Sequence, residues 1–325
     1  MWAMMLEERL VGNAPLKQSV MHMMQSGRMG HSLLLVGESG LGAGFAARCI
    51  AADLLYPQGG SAAEHMVQGD CCYAVAKSGD RSSGHIETGI VREAIAVRGG
   101  AKNGDYLVGQ VMAARSECFN SGLSTQGRVI LLYHVEHMNE ASANALLKVL
   151  EEPPENVTFL LTASSLAGVL PTIRSRCYDF TLAPVSPAEC AAYCTKQDVA
   201  QDEAELLSAV FDGRIGTVLA VAQNKTRRAR LETARTLAQA AADGDGYQLA
   251  TMLAGLEKDR SGTDEVLEDL SALAAAALLQ PKLCPLHGEK AVAAIRTADK
   301  VRQRLHANGN AKLVLTLAAA EFASL

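Results

Sequence analysis

Apolar residues follow two different rhythms along this chain. In the first half they fall in short unbroken runs bounded by polar residues: Ser32 to Val36, Arg128-Val-Ile-Leu-Leu-Tyr133 and Val157 to Thr162. A run apolar at every position suits a strand buried on both faces. Helical spacings lie between the runs: one to about Met29, then Phe45 to Leu55, Tyr106 to Asn120, and Ala141 to Glu151, the last stopped by Pro153-Pro154. Tyr178 to Leu182 reads as a further strand. Strands alternating with helices predict a parallel α/β sheet. Tyr56-Pro-Gln-Gly-Gly60 reads as a loop, and the polar, glycine-dotted stretch from Gly59 to Gly109 is assigned only weakly.

From Pro187 onward the strand signals vanish. The remainder is alanine- and leucine-rich helix, with breaks at Asp212-Gly213, Gly244-Asp245-Gly246 and Cys284 to Gly288. This change of rhythm predicts the main domain boundary, and no internal repeat crosses it.

Composition narrows the class. The chain has 325 residues, 49% hydrophobic and only 20% charged, enough for a substantial core and more than one average domain. Its apolar runs stop far short of the roughly 20 residues that cross a bilayer, so no transmembrane helix is predicted. Met1 to Val11 carries Glu7, Glu8 and Arg9 where a signal peptide needs an uninterrupted apolar region, and a cytoplasmic protein is expected. The eight cysteines are scattered apart from Cys71-Cys72 and read as reduced thiols. A net charge of -5 argues against holding nucleic acid by global charge, so any DNA contact is local or made through partners.

Gly37-Glu-Ser-Gly-Leu-Gly-Ala-Gly44 follows a predicted strand and precedes a predicted helix, the context in which backbone N–H groups cradle phosphates. The segment looks like a Walker A loop. A working loop needs a lysine for the β and γ phosphates and a hydroxyl for magnesium, whereas Ala43 and Gly44 stand at those positions. From the loop alone two readings stand: a relic cradle formed by Gly37, Gly40, Gly42, Ala43 and Gly44, and a tight turn that uses glycine for its conformational freedom. Neither permits efficient ATP hydrolysis. At the end of the second apolar run His134 stands where a magnesium-binding aspartate is expected, and imidazole is a poor ligand for so hard an ion. Glu136 reads either as a relic of that acidic site or as a solvated carboxylate.

The most informative stretch is Asn144-Ala-Leu-Leu-Lys-Val-Leu-Glu-Glu-Pro-Pro154 followed by Leu170-Pro-Thr-Ile-Arg-Ser-Arg-Cys177. It closely resembles bacterial DNA polymerase III clamp-loader subunits of the AAA+ class. The resemblance implies a P-loop-type parallel-sheet AAA+ domain over residues 1–182, a small helical lid over 183–224, and an all-α C-terminal collar over 225–325 that assembles with other subunits. It also implies that Arg176, within Ser175-Arg176-Cys177, reaches across an interface to the γ-phosphate of ATP bound by a neighbouring subunit. Such a finger stabilises charge in the phosphoryl-transfer transition state. A lone arginine is otherwise a surface salt-bridge residue.

The decayed loop sets the chain apart from the family's hydrolysing members, and the retained motifs set it apart from its most divergent one. What remains implied is a stator without ATPase or polymerase activity of its own, within the DNA polymerase III holoenzyme. The implied partners are gamma- or tau-type ATPase subunits, a delta subunit, the ring-shaped sliding clamp (beta) and primed DNA met inside the assembly. A slow ATPase using Glu136 and an inert scaffold are the rival readings.

Two departures from the family pattern stand out. Many clamp-loader subunits carry a four-cysteine zinc module near the position of Cys71-Cys72, yet Met66 and Gly69 replace preceding ligands, and Cys71, His65 and His85 have no convincing ligand spacing. No zinc and no required cofactor are expected, and the thiols read as free on a loop. In the helical region Thr217 occupies the place of the nucleotide-sensing arginine, which leaves Arg214 an ordinary loop residue. The cluster Lys225-Thr-Arg-Arg-Ala-Arg230 opens a helix without interleaved aromatics and reads as a solvated face or a linker.

Overall fold

The computed structural model describes residues 4–27, 29–76, 83–101, 104–120, 126–307 and 309–325. The chain forms two compact units, Met1–Pro184 and Val185–Leu325.

The first unit is built on a seven-stranded sheet: β1 (Ser32–Val36), β2 (Cys71–Ala76), β3 (Gly84–Glu87), β4 (Val91–Val97), β5 (Arg128–Leu132), β6 (Val157–Ala163) and β7 (Tyr178–Thr181). Their spatial order is β3-β2-β4-β5-β6-β1-β7. Among the described residues only the β2–β3 pair is antiparallel; the others run parallel. The helices are α1 (Met5–Arg9), α2 (Ala14–Gln25), α3 (Ala43–Leu55), α4 (Ser61–Gln68), α5 (Val108–Cys118), α6 (Glu140–Glu151) and α7 (Pro171–Arg174).

The unbroken apolar runs are explained by a core on each face of the sheet. Leu33, Leu35, Val129, Leu131 and Leu160 point into one core with α1 to α4, and Leu34, Val36, Ile130, Leu132, Phe159 and Leu161 into the other with α5 to α7. Successive side chains of a strand face opposite ways, so a strand covered on both sides must be apolar throughout.

Three strands lie in the weakly assigned stretch. Cys71-Cys72 belongs to β2 rather than a loop, with Cys71 in one core and Cys72 in the other. The period of two that builds a strand therefore separates the adjacent thiols. Burial raises the Cys71 thiol above its ordinary pKa. β4 carries no unbroken apolar run because its second and third positions are Arg92 and Glu93; the latter accepts a hydrogen bond from the Tyr56 hydroxyl at 2.9 Å.

The second unit is all helix: α8 (Pro187–Thr195), α9 (Gln201–Val210), α10 (Ile215–Gln223), α11 (Lys225–Asp243), α12 (Gly246–Gly255), α13 (Arg260–Leu279), α14 (Gly288–His306) and α15 (Ala311–Ala323). The breaks fall at the glycine-containing positions read from the sequence. Gly244 closes α11 in the left-handed conformation. One apolar core runs from Cys190 on α8 to Phe322 on α15, so the residues expected as lid and collar share it.

The three arginines of the basic cluster at the start of α11 are paired with acidic side chains of the same unit, while Lys225 and Arg228 remain exposed. Arg227 forms a fork on Asp269 of α13, with Nη2 at 2.6 Å from Oδ1. Arg228 donates to Glu203 of α9 at 2.6 Å, and Arg230 to Glu265 at 2.6 Å and Asp259 at 3.1 Å. Arg214 caps the start of α10 and lies 3.4 Å from Glu268, and Thr217 sits in the first turn behind it. No described helix is long and apolar enough to cross a membrane.

Candidate functional site

The phosphate-type loop links β1 to α3. Gly37 N–H donates to the Ala163 carbonyl at 2.9 Å, which ties the loop to the end of β6. Gly40 and Gly42 hold φ of 86° and 90°, a region that favours glycine. Gly42 is the N-cap of α3 and has no side chain to satisfy the helix's first N–H groups. Ala43 is buried and Gly44 is the second residue of the helix. The loop thus sets two glycines in the left-handed region just before the helix, with Ala43 and Gly44 as the first two helical residues.

The end of β5 differs from the expectation in which residue faces the loop. Tyr133, buried, lies beside Gly44: a Cβ built there would sit 3.3 Å from Tyr133 Cε1 and 3.8 Å from an Arg48 nitrogen. The Arg98 guanidinium covers the Tyr133 ring at 4.8 Å and the Tyr73 ring at 5.6 Å, a cation–π arrangement that fixes the ring. His134, at φ 57°, turns outward and is exposed. The sequence signal for Tyr133 was its place as the last apolar residue of the run, where strand alternation continues.

Glu136 is engaged by Ser164 and His134. Its Oε1 accepts from Ser164 N at 3.0 Å and Ser164 Oγ at 2.7 Å, with His134 Nδ1 at 3.5 Å. Burial pushes this carboxyl up, but the bonds from His134 and Ser164 outweigh it and hold the pKa at about 2. The carboxylate braces the ends of β5 and β6 and is a poor base.

Restoring the missing loop residues is therefore not expected to restore an ATPase. The double change Ala43→Lys with Gly44→Thr is expected to give no ATP hydrolysis by the isolated chain above the unmodified protein, because the threonine meets the Tyr133 ring and no acidic group replaces it. Crowding in a packed site should also cost about 1–3 kcal/mol of stability. A malachite-green phosphate assay and a urea melt measure the two effects; steady turnover by the double variant would show that Tyr133 is no barrier.

The S-R-C motif follows α7. Ser175 is that helix's C-cap, Arg176 is partly exposed at 27%, and Cys177 packs against the apolar core on one side. Burial, and then the nearby Asp179, push the Cys177 thiol up to about 12. Arg176 Nε donates to Oε1 of Glu151 at 2.9 Å, and Nη2 reaches the same oxygen. Nη1 donates to the Thr172 carbonyl at 2.7 Å and to Ser175 Oγ at 3.1 Å. Glu151 is the last residue of α6, in the Glu-Glu-Pro-Pro string, and was not singled out from the sequence; only folding brings it to Arg176. Among the described residues no three His, Cys, Asp or Glu side chains gather as a metal site.

Residues 12–186 match the family described as DNA polymerase III, delta subunit. The chain is 31% identical over 185 residues to the DNA polymerase III gamma/tau subunit of Mycobacterium bovis, covering 56% of this chain and 30% of that protein. It is 34% identical over 128 residues to the delta' subunit of Escherichia coli K12, covering 39% of this chain and 38% of the relative. The matched stretches thus span less than two fifths of either relative. A solved structure of a gamma subunit-related protein from Thermotoga maritima overlaps 94% of this chain and 98% of its own at TM-score 0.52 and 14% identity. That likeness bears on the fold alone: a mostly parallel sheet domain followed by helices.

Proposed function

The chain belongs to the DNA polymerase III delta subunit family, and from that premise we propose that it is a delta-prime-type clamp-loader subunit: a stator that hydrolyses no ATP itself and lends Arg176 to a neighbour's ATP site. Its partners in this reading are gamma- or tau-type ATPase subunits and a delta subunit, and the work of the assembly is to open the sliding clamp and close it on primed DNA. One asymmetry carries the reading. Beside its own loop the chain has Ala43, Gly44 and the Tyr133 ring where phosphate and magnesium chemistry needs lysine, hydroxyl and carboxylate. At a partly exposed position it keeps an arginine in the S-R-C motif, a group suited to phosphate held elsewhere. ATP therefore belongs to the neighbouring subunit, and neither nucleotide nor zinc is required here.

An inert scaffold is the second reading, favoured by one observation: Arg176 already has an acidic partner in Glu151. Reconstitution from this chain, its cognate gamma-type subunit and delta tests the proposal. Clamp- and DNA-stimulated ATP hydrolysis should need all three, while this chain alone should show none. Full stimulation without this chain would remove the role.

A further inference from the structure

Arg176 is held within its own chain by the edge that matters most. A guanidinium carries five N–H donors in a rigid fork. Nη1 is directed to the backbone of Thr172 and to Ser175, while Nε and Nη2 together face Glu151 Oε1. The Nε–Nη2 edge takes a carboxylate or a phosphate in two parallel bonds, so Glu151 occupies the place a phosphate oxygen would need. Glu151 ends α6, where the negative end of the helix dipole disfavours a carboxylate unless a cation faces it. Its side chain is 49% exposed, and a pair so open to water is readily exchanged.

Resting on the reading that Arg176 serves a neighbour's ATP, we propose that Glu151 is a latch on the finger. It holds the forked edge of Arg176 while no phosphate is near and yields it to the more highly charged triphosphate when the subunit interface closes. Glu151 is thus a positioning residue that suppresses hydrolysis in the open assembly. The exchange needs no large movement, since the anchoring bonds of Nη1 to Thr172 and Ser175 lie on the other side of the fork.

The test is steady-state ATP hydrolysis by the reconstituted loader, with and without clamp and primed DNA, using wild type, Glu151→Gln, Arg176→Ala and the double variant. Glutamine keeps the volume and removes the charge. Glu151→Gln is expected to raise the unstimulated rate about two- to fivefold, the range set by exposed ion pairs, with less than a twofold change in the stimulated rate. That gain should vanish in the double variant, an outcome a merely structural role for Glu151 does not produce. If Arg176→Ala lowers hydrolysis but Glu151→Gln leaves the unstimulated rate unchanged or reduced, the latch is wrong and the finger stands. A gain that persists without Arg176 likewise overturns the latch. If Arg176→Ala has no effect on an intact assembly, the finger reading itself falls.

Discussion

Replacing Arg176 with alanine should lower ATP hydrolysis at the neighbouring subunit's site about a thousandfold while leaving the assembly intact, since a trans-acting arginine finger contributes roughly that much or more. The fall belongs to kcat, because the guanidinium acts on charge that develops in the transition state. Arg176→Lys should recover little of it: an ammonium is a point charge and lacks the fork. Lost stability is not the cause to expect, because the Arg176–Glu151 pair is exposed and such pairs contribute about 0–1 kcal/mol. Single-turnover hydrolysis, with light scattering to confirm assembly, makes the measurement. An unchanged rate in a correctly assembled loader would leave the chain an inert scaffold, and failure of the wild-type chain to join its partners would remove the clamp-loader role.

The second large effect concerns the helical unit. Asp269 has no exposed side-chain surface, and Arg227, 14% exposed, is its forked partner. Burial holds the Asp269 carboxyl above the usual carboxylate range even with the arginine present, and in that state Arg227 and then Arg230 pull it down. Arg227→Ala therefore strands a buried charge, and should destabilise the protein by about 3–5 kcal/mol near neutral pH. In a domain of this size that is a fall in Tm on the order of 10 °C. The sign of the pH dependence follows from the raised pKa. Without Arg227 the folded-state pKa of Asp269 rises further above its unfolded value. The penalty is then full above the folded pKa and shrinks as pH falls toward the unfolded value, because the folded protein takes up the proton. Thermal melts of both proteins at pH 8 and pH 5 should show a smaller gap at pH 5. A gap below about 1 kcal/mol at pH 8, or one independent of pH, would mean that Asp269 is compensated by something other than Arg227. The pair Arg227→Leu with Asp269→Leu should recover most of the loss, since apolar replacement of a buried ion pair is often neutral or better.

Much of the fold was legible because burial on both sheet faces leaves an unmistakable trace. Val129 to Leu132 and Phe159 to Leu161 sit between two cores and are apolar at every position. β2 to β4 left no such trace. Arg92 and Glu93 interrupt the apolar pattern of β4, and short β3 lies at the sheet edge against β2, so nothing local distinguishes that stretch from loop. The absence of a lysine and a hydroxyl at positions 43 and 44 was readable residue by residue from Ala43 and Gly44. Which residue lines the loop at the end of β5 was not, because His134 and Tyr133 are adjacent in sequence and only the turn after β5, with His134 at φ 57°, decides which one faces the loop.

The basic cluster shows the same limit. Three arginines in six residues look solvated when their surroundings are unknown, yet their partners Asp269, Glu265, Asp259 and Glu203 lie up to 42 residues away in the chain. The sequence by itself determined the parallel α/β domain, the helical region after Pro187, the family motifs and the missing lysine and hydroxyl, since each rests on residue type and local spacing. The tertiary structure alone decided that the Tyr133 ring occupies the loop's flank, that Cys71 and Cys72 face opposite cores, and that Glu151 holds Arg176. Those are encounters between distant or oppositely directed side chains, and they depend on chain reversals and strand pairings that no local pattern records.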